Sequence, residues 1–127
     1  MKAFTDLEQS KKLVKILPLE SADMTYSALT EGMRDKMTII DWEVTVGLDI
    51  AIKENLFSYR EGYILPCWSL AALFNVLPKI VNNETLFVET SATLWHVGYR
   101  NVYIARADNL IDACYEMIIK LHEQKLL

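Results

Sequence analysis

Between Pro66 and Pro78 stand Cys67, Trp68, Ser69, Leu70, Ala71, Ala72, Leu73, Phe74, Asn75, Val76 and Leu77, a helix-length and almost wholly apolar run closed by a proline at each end. A helix that is apolar on every side has no face to offer water, so it belongs in a core. Proline at either end bounds it, because the ring removes an amide donor and clashes with the preceding turn. The expected helix runs from Trp68 to Leu77, and the rest of the chain must supply layers that cover it. With 127 residues and 52% hydrophobic residues, residues 1–127 are expected to form a single domain that needs neither disulfide nor metal.

The apolar run is shorter than the roughly 18 residues of a membrane span, and the stretch from Met1 to Lys15 is too charged for a secretory leader. A cytoplasmic protein without membrane contact is the expectation. The two cysteines, Cys67 in the apolar helix and Cys114 in a second helical pattern, lie in no ligand-spaced cluster and read as reduced, buried small hydrophobes. A formal net charge of −4 with scattered basic residues disfavours nucleic acid as a partner.

Thr5-Asp6-Leu7-Glu8 has the form of a capping box, so a helix is expected from Thr5 to Lys15, with Lys11, Lys12 and Lys15 at its negative end and Pro18 beyond it. From Ile40 to Ile52 every even position is apolar, and that period of two argues a strand with a bend or bulge at Gly47. Lys53 to Leu65 carries no readable period. A turn is suggested at Glu61-Gly62, and partial burial at Tyr59, Tyr63 and Ile64. After Pro78 come three short strand patterns, Thr85 to Thr90, Thr93 to Tyr99 and Val102 to Arg106, joined by tight links at Ser91-Ala92 and Arg100-Asn101. The last segment, Asn109 to Gln124, repeats apolar residues at helical spacing behind a cap at Asp108. The fold class is therefore α+β: an antiparallel meander of three or more strands with helices packed on it, its C-terminal part in α-β-β-β-α order.

The blocks Leu17-Pro18-Leu19-Glu20-Ser21-Ala22-Asp23-Met24, Pro66 to Lys79 and Ala107 to Leu127 together resemble a family of short uncharacterised proteins from gut Bacteroides genomes, linked to prophages and other mobile elements. The resemblance implies a genomic context. It implies no reaction, cofactor or site residue.

Candidate chemistry is sparse. Cys67 at the start of an apolar helix with His96 as base gives a cysteine-hydrolase reading, yet the residues before the cysteine are Leu65-Pro66, and His96 has no evident polar orienter. His96 and His122 are too isolated for a metal. Asp41 and Glu43 share one face of a strand, as general acid/base pairs do, but outward charge on a half-buried strand more commonly guards an edge. The α-β-β-β-α order matches that of double-stranded-RNA-binding domains, whereas the helix that should open on lysines opens on Asp108, Asn109 and Asp112. What remains are strand aromatics. Phe87 and Tyr103 fall out of phase with an inward set of Val88, Val102 and Ile104, so Phe87, Trp95 and Tyr103 are the expected interaction residues.

No catalytic, cofactor-binding or metal-ligating residue is assigned. The leading expectation is a non-enzymatic accessory protein of a mobile element that acts through contacts with a protein partner, with a homodimer as one form of it. A cysteine hydrolase using Cys67 and His96 is the alternative, and an RNA-binding module a further one.

Overall fold

The structure, a computed structural model, describes residues 2–33, 37–47 and 62–127. It is α+β; the described residues form two antiparallel sheets and three α-helices: α1 (Leu7–Leu13), β1 (Met24–Glu31), β2 (Thr38–Val46), β3 (Ile64–Cys67), α2 (Leu70–Val76), β4 (Ile80–Val81), β5 (Glu84–Ser91), β6 (Leu94–Tyr99), β7 (Tyr103–Ala107) and α3 (Leu110–Glu123). Contacts divide the chain into two compact units, Asp6–Trp68 and Met1–Thr5 with Ser69–Leu127.

The first unit is built on the sheet β2-β1-β3. Its helix α1 starts one residue later than the sequence suggests. Asp6, not Thr5, is the cap: its Oδ1 accepts from the Gln9 amide at 2.8 Å while the Gln9 side chain accepts from the Asp6 amide at 3.0 Å, which is a capping box in the next register. Helix α1 packs on β3. Behind it, Trp68 is fully buried and donates its indole N–H to Ser21 Oγ at 3.0 Å, so the largest apolar side chain of the unit hides its polar atom as well.

Strand β3 corrects the expected helix. Cys67 lies on a strand, and the helix begins only after Ser69, whose Oγ accepts from the Ala72 amide at 3.3 Å as its N-cap. All four residues of β3 are buried, so apolar side chains fill both of its faces and no alternation marks where strand gives way to helix. Pro66 is tolerated because β3 is, among the described strands, at the edge of the sheet, with β1 on one side only. Ala28 N–H reaches Tyr63 O at 2.7 Å, so the even residues of β1 turn their amides toward β3. Pro66 pairs with the odd Thr25 and its missing donor therefore faces away from β1.

Strand β2 stops at Val46, where Gly47 takes φ +105. The expected continuation from Leu48 to Ile52, and the readings at Tyr59 and Glu61, lie outside the described residues. The even set expected to face inward does so only at its centre. Trp42 and Val44 are half-buried opposite Ala28 and Tyr26, while Ile40 and Val46 are 60% and 88% exposed.

The second unit is the four-stranded meander β4-β5-β6-β7. The three expected strands are there, preceded by a two-residue strand, so that the order is α-β-β-β-β-α. Asn82 and Asn83, both at positive φ, form the two-residue hairpin turn between β4 and β5. Helix α3 packs on β6 and β7, and α2 packs on α3. Its cap is Asn109 rather than Asp108: Asn109 Oδ1 accepts from the Asp112 amide at 2.9 Å. Its end is a Schellman motif, with Lys125 at φ +58 and Leu126 N–H on Leu121 O at 2.8 Å. Tyr99 is fully buried and donates its hydroxyl to Pro78 O at 2.6 Å.

Gly98 on β6 faces Ile104 on β7. A Cβ there would run into the Tyr103 carbonyl oxygen and stand 2.8 Å from Ile104 Cα, both backbone atoms that cannot move without parting the strands. Gly98→Ala should therefore lower stability by about 1–3 kcal/mol, read as a shifted urea midpoint with an unchanged slope. A variant as stable as the parent would show that β6 and β7 do not approach this closely.

Candidate functional site

The residues singled out in the sequence do not form one site. Cys67 and His96 fall in different units. Cys67 pairs across the sheet with Met24 and is 0% exposed, so its sulfur offers no surface to a substrate. His96 lies on β6 with its Nε2 3.0 Å from Ser91 Oγ, a polar partner that strand pairing supplies and that sequence distance hides. His122 sits exposed in the last turn of α3 beside Lys120, where positive charge suits the helix end. Among the described residues, no three His, Cys, Asp or Glu side chains gather closely enough to hold a metal ion.

The aromatics separate by face. In an antiparallel pair, residues directly opposite share a face and neighbours alternate. The register sets Tyr103 opposite Tyr99, Val97 opposite Val88 and Trp95 opposite both Thr90 and Ala107, all on one face. Helix α3 covers the β6 and β7 part of that face, with the Lys120 ammonium 5.2 Å from the Tyr103 ring centroid. Phe87 is opposite Gly98, which is opposite Ile104, on the other face. The inward set therefore needs correction: Val88 shares a face with Trp95 and Tyr103 but stands 39% exposed on β5, beyond the strands β6 and β7 on which α3 packs, and Ile104, 37% exposed, shares the other face with Phe87. Phe87 is itself half-buried under Arg100, whose guanidinium stands 4.3 Å above the ring and pairs with Glu89 at 3.0 Å.

Asp112, in the first turn of α3, accepts from Lys2 Nζ at 2.7 Å and from the Asn109 amide side chain at 2.8 Å. The acid that opposes a phosphate contact in the sequence is thus occupied within its own unit.

The feature absent from the sequence reading is the β1–β2 hairpin. Leu29, Met33, Ile39, Ile40 and Val46, between 38% and 88% exposed, all belong to it or to the loop it carries. Strand β1 itself has no alternation to announce it, because Thr25 and Tyr26 are both buried. The legible signal is indirect: the period-two run of β2 demands a partner, and Met24 to Glu31, between Asp23 and Gly32, supplies Thr25, Tyr26 and Thr30 as strand-forming residues. Asp41 and Glu43 are exposed on one face of β2, which is an edge strand. The edge-guard reading of these acids fits that placement, and Asp41 Oδ1 accepts from the Trp42 amide at 2.8 Å.

Comparison with protein-family models, with curated proteins and with solved structures gives no match. No helix among the described residues is long and apolar enough to cross a membrane.

Burial raises three acidic groups. Cys114 is pushed up to about 12 by burial, Tyr99 to about 12 by burial and then by the neighbouring Cys114, and Tyr26 to about 12 by burial, then Cys67, then Asp6. Each is neutral when protonated, so the folded chain holds its proton to higher pH than the unfolded chain does. Between the ordinary values, 9.0 for the thiol and 10.0 for the phenols, and about 12, the unfolded state binds fewer protons and stability falls as pH rises. Thermal melts from neutral pH upward should show a melting temperature unaffected by these groups below about pH 9 and declining above it. Cys114→Ala should soften the first part of that decline. A flat profile to pH 11 would remove the burial argument for all three.

Proposed function

We propose that this protein is a non-enzymatic interaction module, an accessory protein of a mobile element that works in the cytoplasm by binding another protein. The observation that carries the reading is the β1–β2 hairpin at the margin of its sheet, which with its loop leaves Ile40, Met33 and Val46 at 60%, 75% and 88% exposure. Half of the large apolar residues that the described chain leaves exposed belong to it. Scattered exposed apolar residues need no explanation, but a concentration of them on one hairpin marks an interaction surface. The mobile-element context rests on the family resemblance of the Leu17–Met24, Pro66–Lys79 and Ala107–Leu127 blocks.

A cysteine hydrolase draws no support from a Cys67 side chain with 0% exposure, since a nucleophile must reach its carbonyl. An RNA-binding module draws none from the acidic first turn of α3.

A photo-crosslinking amino acid placed at Ile40 in cells that produce the protein should yield one discrete product, and the same group at the exposed Glu116 on α3 should yield none. The mass of the product separates a second copy of the chain from a different protein. Equal labelling from both positions, or none from Ile40, would sink the reading.

A further inference from the structure

We propose that the open edge of β2 is a strand-addition site for an extended cationic segment of a partner protein. The proposal rests on the interaction-module reading and specifies its mode. Strand β2 is nine residues long and, among the described residues, has a strand neighbour, β1, on one side only. Proteins blunt such edges with charged side chains, lysine above all, with proline or with bulges. Here the guards are Asp41, Glu43 and an irregularity of the ladder between Leu29 and Thr30. The two acids turn away a strand of like charge while leaving the edge open to one of opposite charge. Thr38 to Val46 contains neither lysine nor proline, and it leaves Ile39, Ile40 and Val46 exposed.

The backbone groups that line this edge can be assigned. Ala28 donates to Tyr63 O at 2.7 Å and so has turned from β2 toward β3. Trp42, its partner across the β1–β2 ladder, therefore points its amide and carbonyl to the open side. Its hydrogen bond to the Asp41 carboxylate, at 2.8 Å, agrees with that direction. Gly47 N–H reaches back to Asp23 O at 2.8 Å, so the odd residues face β1 and the even ones, Trp42 and Val44, face out. An added strand would take its main-chain bonds from Trp42 and Val44, as in β-augmentation.

Charge then selects the occupant. A second copy of β2 laid antiparallel with Trp42 opposite Trp42 sets Asp41 against Glu43 at both ends of the contact. A shift of two residues either way sets Glu43 against Glu43 or Asp41 against Asp41. Like charges directly opposite are destabilising, so these three registers are disfavoured for a second copy, and the same two acids favour lysine or arginine at alternate positions of a partner strand. Asp41 has a further part. Its carboxylate occupies the Trp42 amide until a cation draws it away, and the incoming strand's carbonyl then takes the vacated N–H.

The test uses the full chain and two fluorescein-labelled peptides, one alternating valine with lysine and one alternating valine with glutamate, followed by fluorescence anisotropy. The lysine peptide should bind, more weakly as salt is raised, and the glutamate peptide should not. Asp41→Lys with Glu43→Lys should invert that preference. Val44→Pro removes an outward amide and leaves the bonds to β1 in place, so it should weaken binding about tenfold, which corresponds to one backbone hydrogen bond. A lysine peptide N-methylated along one edge makes the same test without altering the protein. Binding that survives both Val44→Pro and N-methylation, yet is lost on charge reversal, would mean adhesion to an acidic surface and overturn strand addition. A dimer abolished by Val44→Pro in sedimentation would assign the edge to a second copy and overturn the cationic occupant. No binding of either peptide would also overturn the proposal, whereas the wider interaction reading stands or falls on the cross-link from Ile40.

Discussion

The complete burial of Ile64 to Trp68 is the constraint on which the rest depends. Four residues of extended chain, apolar on both faces, must be covered from two sides, and Trp68 directly after them is fully buried with its indole N–H satisfied by Ser21. Burying polar backbone obliges it to be paired, so β3 takes the edge of β1 that the even residues offer. A few residues later the same apolar run becomes α2, whose Ala72 and Leu73 enter the core of the other unit. One sequence segment thus furnishes the centre of two compact units, with Ser69 as the cap at which strand gives way to helix.

The exposed hairpin follows from this arrangement. Once β3 is paired with β1, β2 is left at the margin of the sheet, with β1 as its single strand neighbour among the described residues. Cover reaches its middle, where Tyr26 and Trp42 meet edge to face at 6.3 Å, and fails toward its ends, where Ile40 and Val46 stand in solvent. Asp41 then answers a local need by accepting from the Trp42 amide, which faces away from β1. A single carboxylate both satisfies an edge donor and sets the charge that an incoming strand would meet.

Much of the second unit is legible in the sequence, and much of the candidate site is not. Strands β5, β6 and β7 and helix α3 follow their patterns to within a residue or two, because turn residues such as Asn82, Asn83 and Asn101 accept positive φ and the period of α3 is long and unbroken. The aromatic patch is not recoverable in that way. A period of two says that Phe87 and Val88 face opposite sides but not which side receives a helix, and a link one residue longer reverses the phase between strands. Tyr103 opposite Tyr99 is decided by the turn at Arg100 to Val102, and α3 then covers the face they share.

What the sequence determined by itself are the properties carried by nearest neighbours: the α+β class, the caps to within one residue, the core character of Pro66 to Trp68 and of Ala72, Leu73 and Leu77, and the outward acids of β2. The rest of the Pro66 to Pro78 run is not wholly core, since Ala71 and Asn75 of α2 are exposed and Leu70, Phe74 and Val76 are half-buried. Tertiary structure alone decided that Cys67 lies on a strand, that β1 is central, that β2 is an edge and that Phe87 and Tyr103 part company. The physical reason is common to all four. Each depends on which segment lies beside another, and a strand acquires its edge, its buried face and the outward direction of its amides only from the neighbour it pairs with.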